Sequence, residues 1–205
     1  MVGRFVDNFI AKSDLPIPVG PVMKKIELKS LALLDSFKPH SKIKNDLLFL
    51  MNEQPSDKLE YIDNIEKLDW SQHKDMNRPW VQLIKTDLIN HFKKCAKKLH
   101  YEDIQLKALW FQQYNKNGVH NWHSHGDNYT GVYYVEMSKE NPKTELIEPA
   151  TDKKVTLECK EGDIIIFPAF MIHRAPINKS EKRKTIISFN FNFTNADNDY
   201  SKKFH

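Results

Sequence analysis

Ile104-Gln105-Leu106-Lys107-Ala108-Leu109-Trp110-Phe111-Gln112-Gln113-Tyr114 is where the chain changes its period. Upstream, Trp80, Leu83, Ile84, Leu88, Ile89, Phe92, Cys95 and Leu99 recur at helical spacing, which predicts a helix over Pro79–Leu99. Pro79 suits its first turn, with Asn77 or Arg78 at the cap. From Ile104 onward the period is two, placing Ile104, Leu106, Ala108, Trp110, Gln112 and Tyr114 on one strand face. Further strands are predicted at about 129–137, 144–148, 154–159, 163–168 and 184–193. Turn-like stretches such as Glu161-Gly162 and Asn178-Lys179-Ser180 separate them. Helices first and short antiparallel strands later is an α+β order. It implies an antiparallel sandwich of jelly-roll type, a double-stranded β-helix, backed by N-terminal helices.

Working toward the N-terminus, Lys42–Asn52 reads as a short helix, with Pro39 ahead of it and Ser41 placed to cap it. Residues 1–30 read as an irregular arm and a strand near Val22–Leu28, introduced by Pro16, Pro18, Gly20 and Pro21. The polar stretch 54–78, with Tyr61 and Trp70, carries no clear period. Residues 1–78 fit a lid, a homodimer contact or a support layer equally well. The 205 residues suit one domain: support over 1–100, a jelly-roll core over 101–193 and a loosely held polar tail over 194–205. A net charge of +4, with 27 dispersed acidic residues, gives no basic stripe and speaks against nucleic acid. Two cysteines, Cys95 and Cys159, form no disulfide framework, and no stretch has signal-peptide or membrane-spanning character. A soluble cytoplasmic protein is the expectation.

The chemistry concentrates in His123-Ser124-His125 and in His173, 48 residues beyond the pair. Residues two apart on a strand point the same way, so His123 and His125 can converge. His173 closes the apolar run Gly162-Asp163-Ile164-Ile165-Ile166-Phe167-Pro168-Ala169-Phe170-Met171-Ile172. If the two strands face each other, three imidazoles share one face of a metal and leave open positions suited to oxygen chemistry on iron. A second ligand set, His125, Asp127 and His173, competes with this one. His40, His73, His91, His100 and His205 have no obvious partner and read as surface or helix residues, while His120 is out of phase with His123. Arg183 is one of only four arginines among 31 basic residues, and Thr185 shares its strand phase. The pair suits bidentate binding of a carboxylate, against the alternative of a surface ion pair with Glu181. Arg174 divides between substrate contact and the surface.

These residues resemble the 2-oxoglutarate/Fe(II)-dependent oxygenases, in particular small microbial and viral members. The matching pieces are His123-Ser124-His125, the strand Thr130-Gly131-Val132-Tyr133-Tyr134, the run from Gly162-Asp163 through Phe167-Pro168 to His173, and Arg183-Lys184-Thr185 leading into Ser188-Phe189-Asn190. The resemblance covers about residues 104–193. Most members use a carboxylate as second ligand; this chain has His125 there, with a literal His125-Gly126-Asp127 one step on. The resemblance implies Fe(II) on His123, His125 and His173. It also implies 2-oxoglutarate on Arg183, Thr185, Tyr134 and Tyr114, with Gln112 and Asn190 as further polar contacts. The implied reaction uses O2, hydroxylates an unidentified small-molecule or peptidyl substrate, and converts 2-oxoglutarate to succinate and CO2. A cupin-like metal protein or a three-histidine dioxygenase would share the histidines but have no use for a dicarboxylate site.

Overall fold

The computed structural model describes residues 32–57 and 63–204. The strand expected near Val22–Leu28, Tyr61 and His205 lie outside the described residues. In chain order the elements are β1 (Leu33–Ser36), α1 (His40–Glu53), β2 (Lys67–Leu68), a 3-10 turn at Trp70–Gln72, α2 (Pro79–Lys98), β3 (Tyr101–Tyr114) and β4 (His120–His123). There follow β5 (Tyr129–Glu136), β6 (Glu145–Glu148), β7 (Lys153–Thr156), β8 (Asp163–Pro168), β9 (His173–Ala175), β10 (Lys184–Ala196) and α3 (Asn198–Ser201). All strand pairs are antiparallel. One sheet has the order β1-β8-β5-β10-β3-β2 and the other β4-β9-β6-β7.

The larger sheet is buried on both faces, which sets the chemistry of its strands. Toward the helices, Leu109, Phe111, Tyr133, Val135, Ile164, Ile166, Ile187 and Phe189 form one core with Trp80, Ile84, Leu88 and Phe92 of α2. Toward the smaller sheet, Tyr114, Val132, Tyr134, Ile165, Phe167 and Ile186 form a second core. β8 and most of β5 therefore show no polar face, since neither side meets water. Gly131 marks a close approach, because a Cβ there would lie 2.2 Å from the Ile165 carbonyl and 2.6 Å from the Phe189 ring.

Several sequence expectations change in detail. The single apolar face expected for Ile104–Tyr114 is split. A register shift opposite Asn190/Phe191 leaves Lys107 without a rung, so Ile104 and Leu106 face the helices while Ala108 and Trp110 face the other way. A bulge inserts one residue, and every side chain beyond it changes face. Helix α1 starts at His40, so Ser41 lies inside its first turn, and neither α1 nor α2 has a side-chain cap. On α2, Lys97 is exposed as its outward phase requires, but Lys85 and Lys93 are only half-exposed, and Lys93 reaches Asp103 at 3.1 Å. The tail is held: Asp197 accepts from the backbone of Asp199 and Tyr200, and the Tyr200 ring stacks on His100 at 3.5 Å. No helix among the described residues is long and apolar enough to cross a membrane.

Residues 63–78, in a stretch silent in sequence, are organised around a buried carboxylate. Asp69 accepts from Arg78, from Trp80 Nε1 at 2.9 Å and from the Phe111 backbone N–H at 2.8 Å. Burial pushes its carboxyl upward, while the Arg78 guanidinium opposes the shift. This network pins the 3-10 turn, and with it Trp70, to the start of α2 and to β3.

Candidate metal centre and its two chambers

β4 and β9 pair so that His123 lies opposite His173, the facing arrangement the sequence required. His125 follows β4, and its backbone N–H donates to the Ala169 carbonyl at 2.9 Å, which anchors it to the loop between β8 and β9. One nitrogen from each of His123, His125 and His173 lies within 4.8 Å of the others. Asp127 is half-buried and is not part of this convergence.

The ring partners orient the donors. Nδ1 of His123 donates to the Asn121 carbonyl at 2.7 Å and Nδ1 of His173 to the Met171 carbonyl at 2.9 Å. In the neutral ring that leaves Nε2 as the lone-pair nitrogen of each. Burial and the neighbouring imidazoles push His125 down to about 4 and His173 down to about 3, and burial also lowers His123. All three rings are thus unprotonated near neutrality, the state a metal requires. Three convergent neutral imidazoles, two of them with Nε2 left free, fit a first-row divalent ion.

His120 stacks on His123 at 4.0 Å between ring centroids but does not join the set. Gln112 explains why. Its Oε1 accepts from Ser188 Oγ at 3.0 Å, so its Nε2 donates to His120 Nδ1 at 3.1 Å. The remaining His120 N–H then points toward Asp63 Oδ2, 3.5 Å away.

Two spaces meet at the histidines. The first lies between the sheets, with Trp110, Gln112 and Tyr114 of β3, Val132 of β5, Ile186 and Ser188 of β10, and Thr144 in its wall. Behind that wall, against the Tyr114 ring, Lys184 is fully buried. Its Nζ donates to the Pro142 carbonyl at 2.9 Å and lies 5.1 Å from the centre of the Tyr114 ring. No carboxylate among the described residues pairs with it, and burial lowers its pKa to about 8. The Tyr114 hydroxyl beside it is buried with no hydrogen-bond partner. Tyr134 Oη donates to Thr144 Oγ1 at 2.8 Å. Asn190, also buried, has an unpartnered Oδ1. The second space is a groove of about 300 Å³ on the other side of His123 and His125, walled by Asp63, Ile65, Leu68, Trp70 and Trp110.

Arg183 and Thr185, expected to hold a carboxylate here, face the other way. Both donate to Glu136 Oε2 at 2.8 Å, and Arg183 also reaches Asn52 of α1. The reason is strand phase: Thr185, Ile187 and Phe189 belong to the helix-facing side of β10, whereas Lys184, Ile186 and Ser188 point between the sheets. Glu181 pairs with Lys116 instead. Arg174 is engaged by Glu145 at 2.7 Å and lies over Trp122, 4.5 Å from the ring centre. Trp70 and Asp63, which line the groove, and Lys184, which lies against Tyr114, were not singled out by sequence reasoning. The one available signal was that the β10 phase Lys184, Ile186, Ser188, Asn190 is the more polar of the two, as a chamber wall should be.

No family model matches the sequence, and no curated protein matches it. Solved structures do. A 2OG-Fe(II) oxygenase family oxidoreductase from Burkholderia pseudomallei superposes with a TM-score of 0.63 at 10% identity, over 83% of this chain and 88% of that one. A prolyl-4-hydroxylase from Pseudomonas putida gives 0.56 at 12% identity, over 82% and 95%. The viral collagen prolyl hydroxylase of Paramecium Bursaria Chlorella virus-1, solved with 2OG, gives 0.52 at 14% identity, over 78% and 95%. At these identities the likeness establishes the fold: the chain is built on the helix-backed double-stranded β-helix of the 2OG-Fe(II) oxygenases.

Proposed function

We propose that the chain is an Fe(II)- and 2-oxoglutarate-dependent oxygenase that hydroxylates a C–H bond of its prime substrate. One observation carries the reading: three convergent neutral histidines open onto a chamber walled by Tyr114, whose hydroxyl is buried without a partner, and a fully buried lysine with no carboxylate partner among the described residues lies against that tyrosine ring. A buried cation is costly unless something anionic completes it. A ligand with a metal-binding 2-oxo acid at one end and a carboxylate at the other supplies both missing parts.

When bound, iron and 2-oxoglutarate supply the oxidising power: one oxygen atom of O2 enters the C–H bond, and the other enters succinate as CO2 leaves. His123, His125 and His173 hold the metal through nitrogens that need no deprotonation. Lys184 and the Tyr114 hydroxyl grip the far carboxylate, with Tyr134 and Thr144 fixing the wall behind it. Three neutral ligands leave the ion's charge uncompensated, so the dianion and the metal reinforce each other's binding. The fold's solved relatives named for 2OG and prolyl hydroxylation agree with this assignment.

The test is succinate release from 2-oxoglutarate with Fe(II), in wild type, Lys184→Met and Arg183→Leu. Losing a charge-assisted pair in a shielded site costs about 2–5 kcal/mol, so Lys184→Met should weaken 2-oxoglutarate by roughly 30-fold or more. Arg183→Leu should change its affinity by less than about threefold, because its half-buried ion pair with Glu136 lies on the helix-facing side of the sheet. The reverse ranking, or no succinate from wild type, defeats the assignment.

A further inference from the structure

The groove on the far side of the histidines differs in character from the chamber walled by Tyr114 and Thr144. Its walls are Ile65, Leu68 and two indoles, Trp70 and Trp110, which meet at right angles with centroids 4.6 Å apart and planes 83° apart. Trp70 is backed by His73, stacked at 4.2 Å, and stays 41% exposed. The formally charged side chain in this wall is Asp63. Its Oδ1 already accepts from the Asn121 backbone N–H at 2.8 Å and from Asn121 Nδ2 at 2.9 Å. Among the described residues its Oδ2 has only His120 Nε2, at 3.5 Å, and so keeps acceptor capacity. Among the described residues, neither lysine nor arginine lines the groove.

We propose that this groove receives an alkylammonium group, the basic end of the compound or peptidyl side chain that is oxidised there. The oxidation rests on the oxygenase reading; the binding does not. Indole faces are negative and attract a desolvated cation, and a carboxylate with a free lone pair completes the cage. An anionic guest would meet Asp63 and find no cation, whereas a purely apolar guest would leave that carboxylate unused. About 300 Å³ lies at the small end of ligand cavities, the size for one side chain or a small metabolite. The alkyl stem packs on Ile65 and Leu68, which brings its carbons beside His123 and His125. The two chambers share Trp110, Gln112, His120, His123 and His125; Asp63 lines one, and Lys184 lies behind the Tyr114 wall of the other. Opposite charge sorts a dicarboxylate cosubstrate from a basic substrate.

The probes are hexylammonium chloride and 1-hexanol, titrated calorimetrically into the metal-free, cosubstrate-free full chain. Neither iron nor turnover is needed, so a failure here is separable from a failure to release succinate. Hexylammonium should bind about tenfold more tightly than hexanol, the scale of a cation–π contact with a charge-assisted bond. Asp63→Asn should bring the two within about threefold. Trp70→Leu, at an exposed site that threatens folding less, should weaken the ammonium by about fivefold. Equal affinity of the two probes for wild type, or ammonium binding unchanged in either folded variant, overturns the proposal.

Discussion

Lys184 is expensive to keep, and that expense is measurable. Its folded pKa, about 8, lies below the unfolded value of about 10.4, so the unfolded chain holds more protons between these limits. Stability should therefore rise as pH increases from about 8 to about 10.4, and Lys184→Met should raise the thermal midpoint while weakening 2-oxoglutarate. A lysine serving structure alone would lose stability on the same replacement. Above about pH 8, binding the dianion must also take up a proton, so its affinity should decline with pH in wild type and not in Lys184→Met. The histidines give the opposite pH window. His125 and His173 sit near 4 and 3 when folded, against about 6.5 unfolded. The metal-free protein should lose stability as pH falls from about 6.5 toward 4, while Mn(II) affinity, followed by calorimetry, stays nearly level down to about pH 5. A steady decline starting near pH 6.5 would contradict this. The histidine set was legible in sequence because its spacing alone carries the geometry. Arg183, expected to hold a carboxylate, turns instead toward Glu136 and Asn52, because rarity of a residue type says nothing about strand phase, and phase decides which side of the sheet a side chain takes.

Among the elements, α2 supports the site without contributing to it. Its Phe92 ring lies 4.4 Å from Phe189 and 5.0 Å from Phe191, joining the helix to the back of β10. Phe92→Ala should cost about 3–5 kcal/mol in urea unfolding, with 2-oxoglutarate affinity of the folded fraction changed little. A large loss of affinity at unchanged stability would mean that the helix reaches the site. This helix and β8 were readable because their apolar patterns are strong and local. β4 and β9, which carry two of the three histidines, were not drawn as strands: each is only three or four residues long, and pairing rather than propensity makes them strands. Residues 63–78 were opaque for a related reason. Their order comes from Asp69 contacting Arg78, Trp80 and Phe111, and only the first two lie near it in sequence.

At the scale of the molecule, strand order was beyond reach of periodicity. β10, the last strand, lies inside the larger sheet between β5 and β3, and β1 pairs with β8, Leu33 opposite Ile166. Contacts so distant along the chain make folding slow, because loop closure must be completed before pairing rewards it. A fragment ending at Arg183 leaves β3 and β5 with open edges, and open edges aggregate. Such a fragment should show no cooperative unfolding transition and should precipitate, whereas a chain ending at Ala196 should fold. A soluble, cooperatively unfolding 1–183 fragment would refute this. The strand that closes the sheet is also the strand that carries Lys184. On the proposed reading, synthesis then passes through no half-built state in which the histidines are assembled without Lys184; closure of the sheet and readiness for the cosubstrate would be one event, timed by the arrival of the final strand.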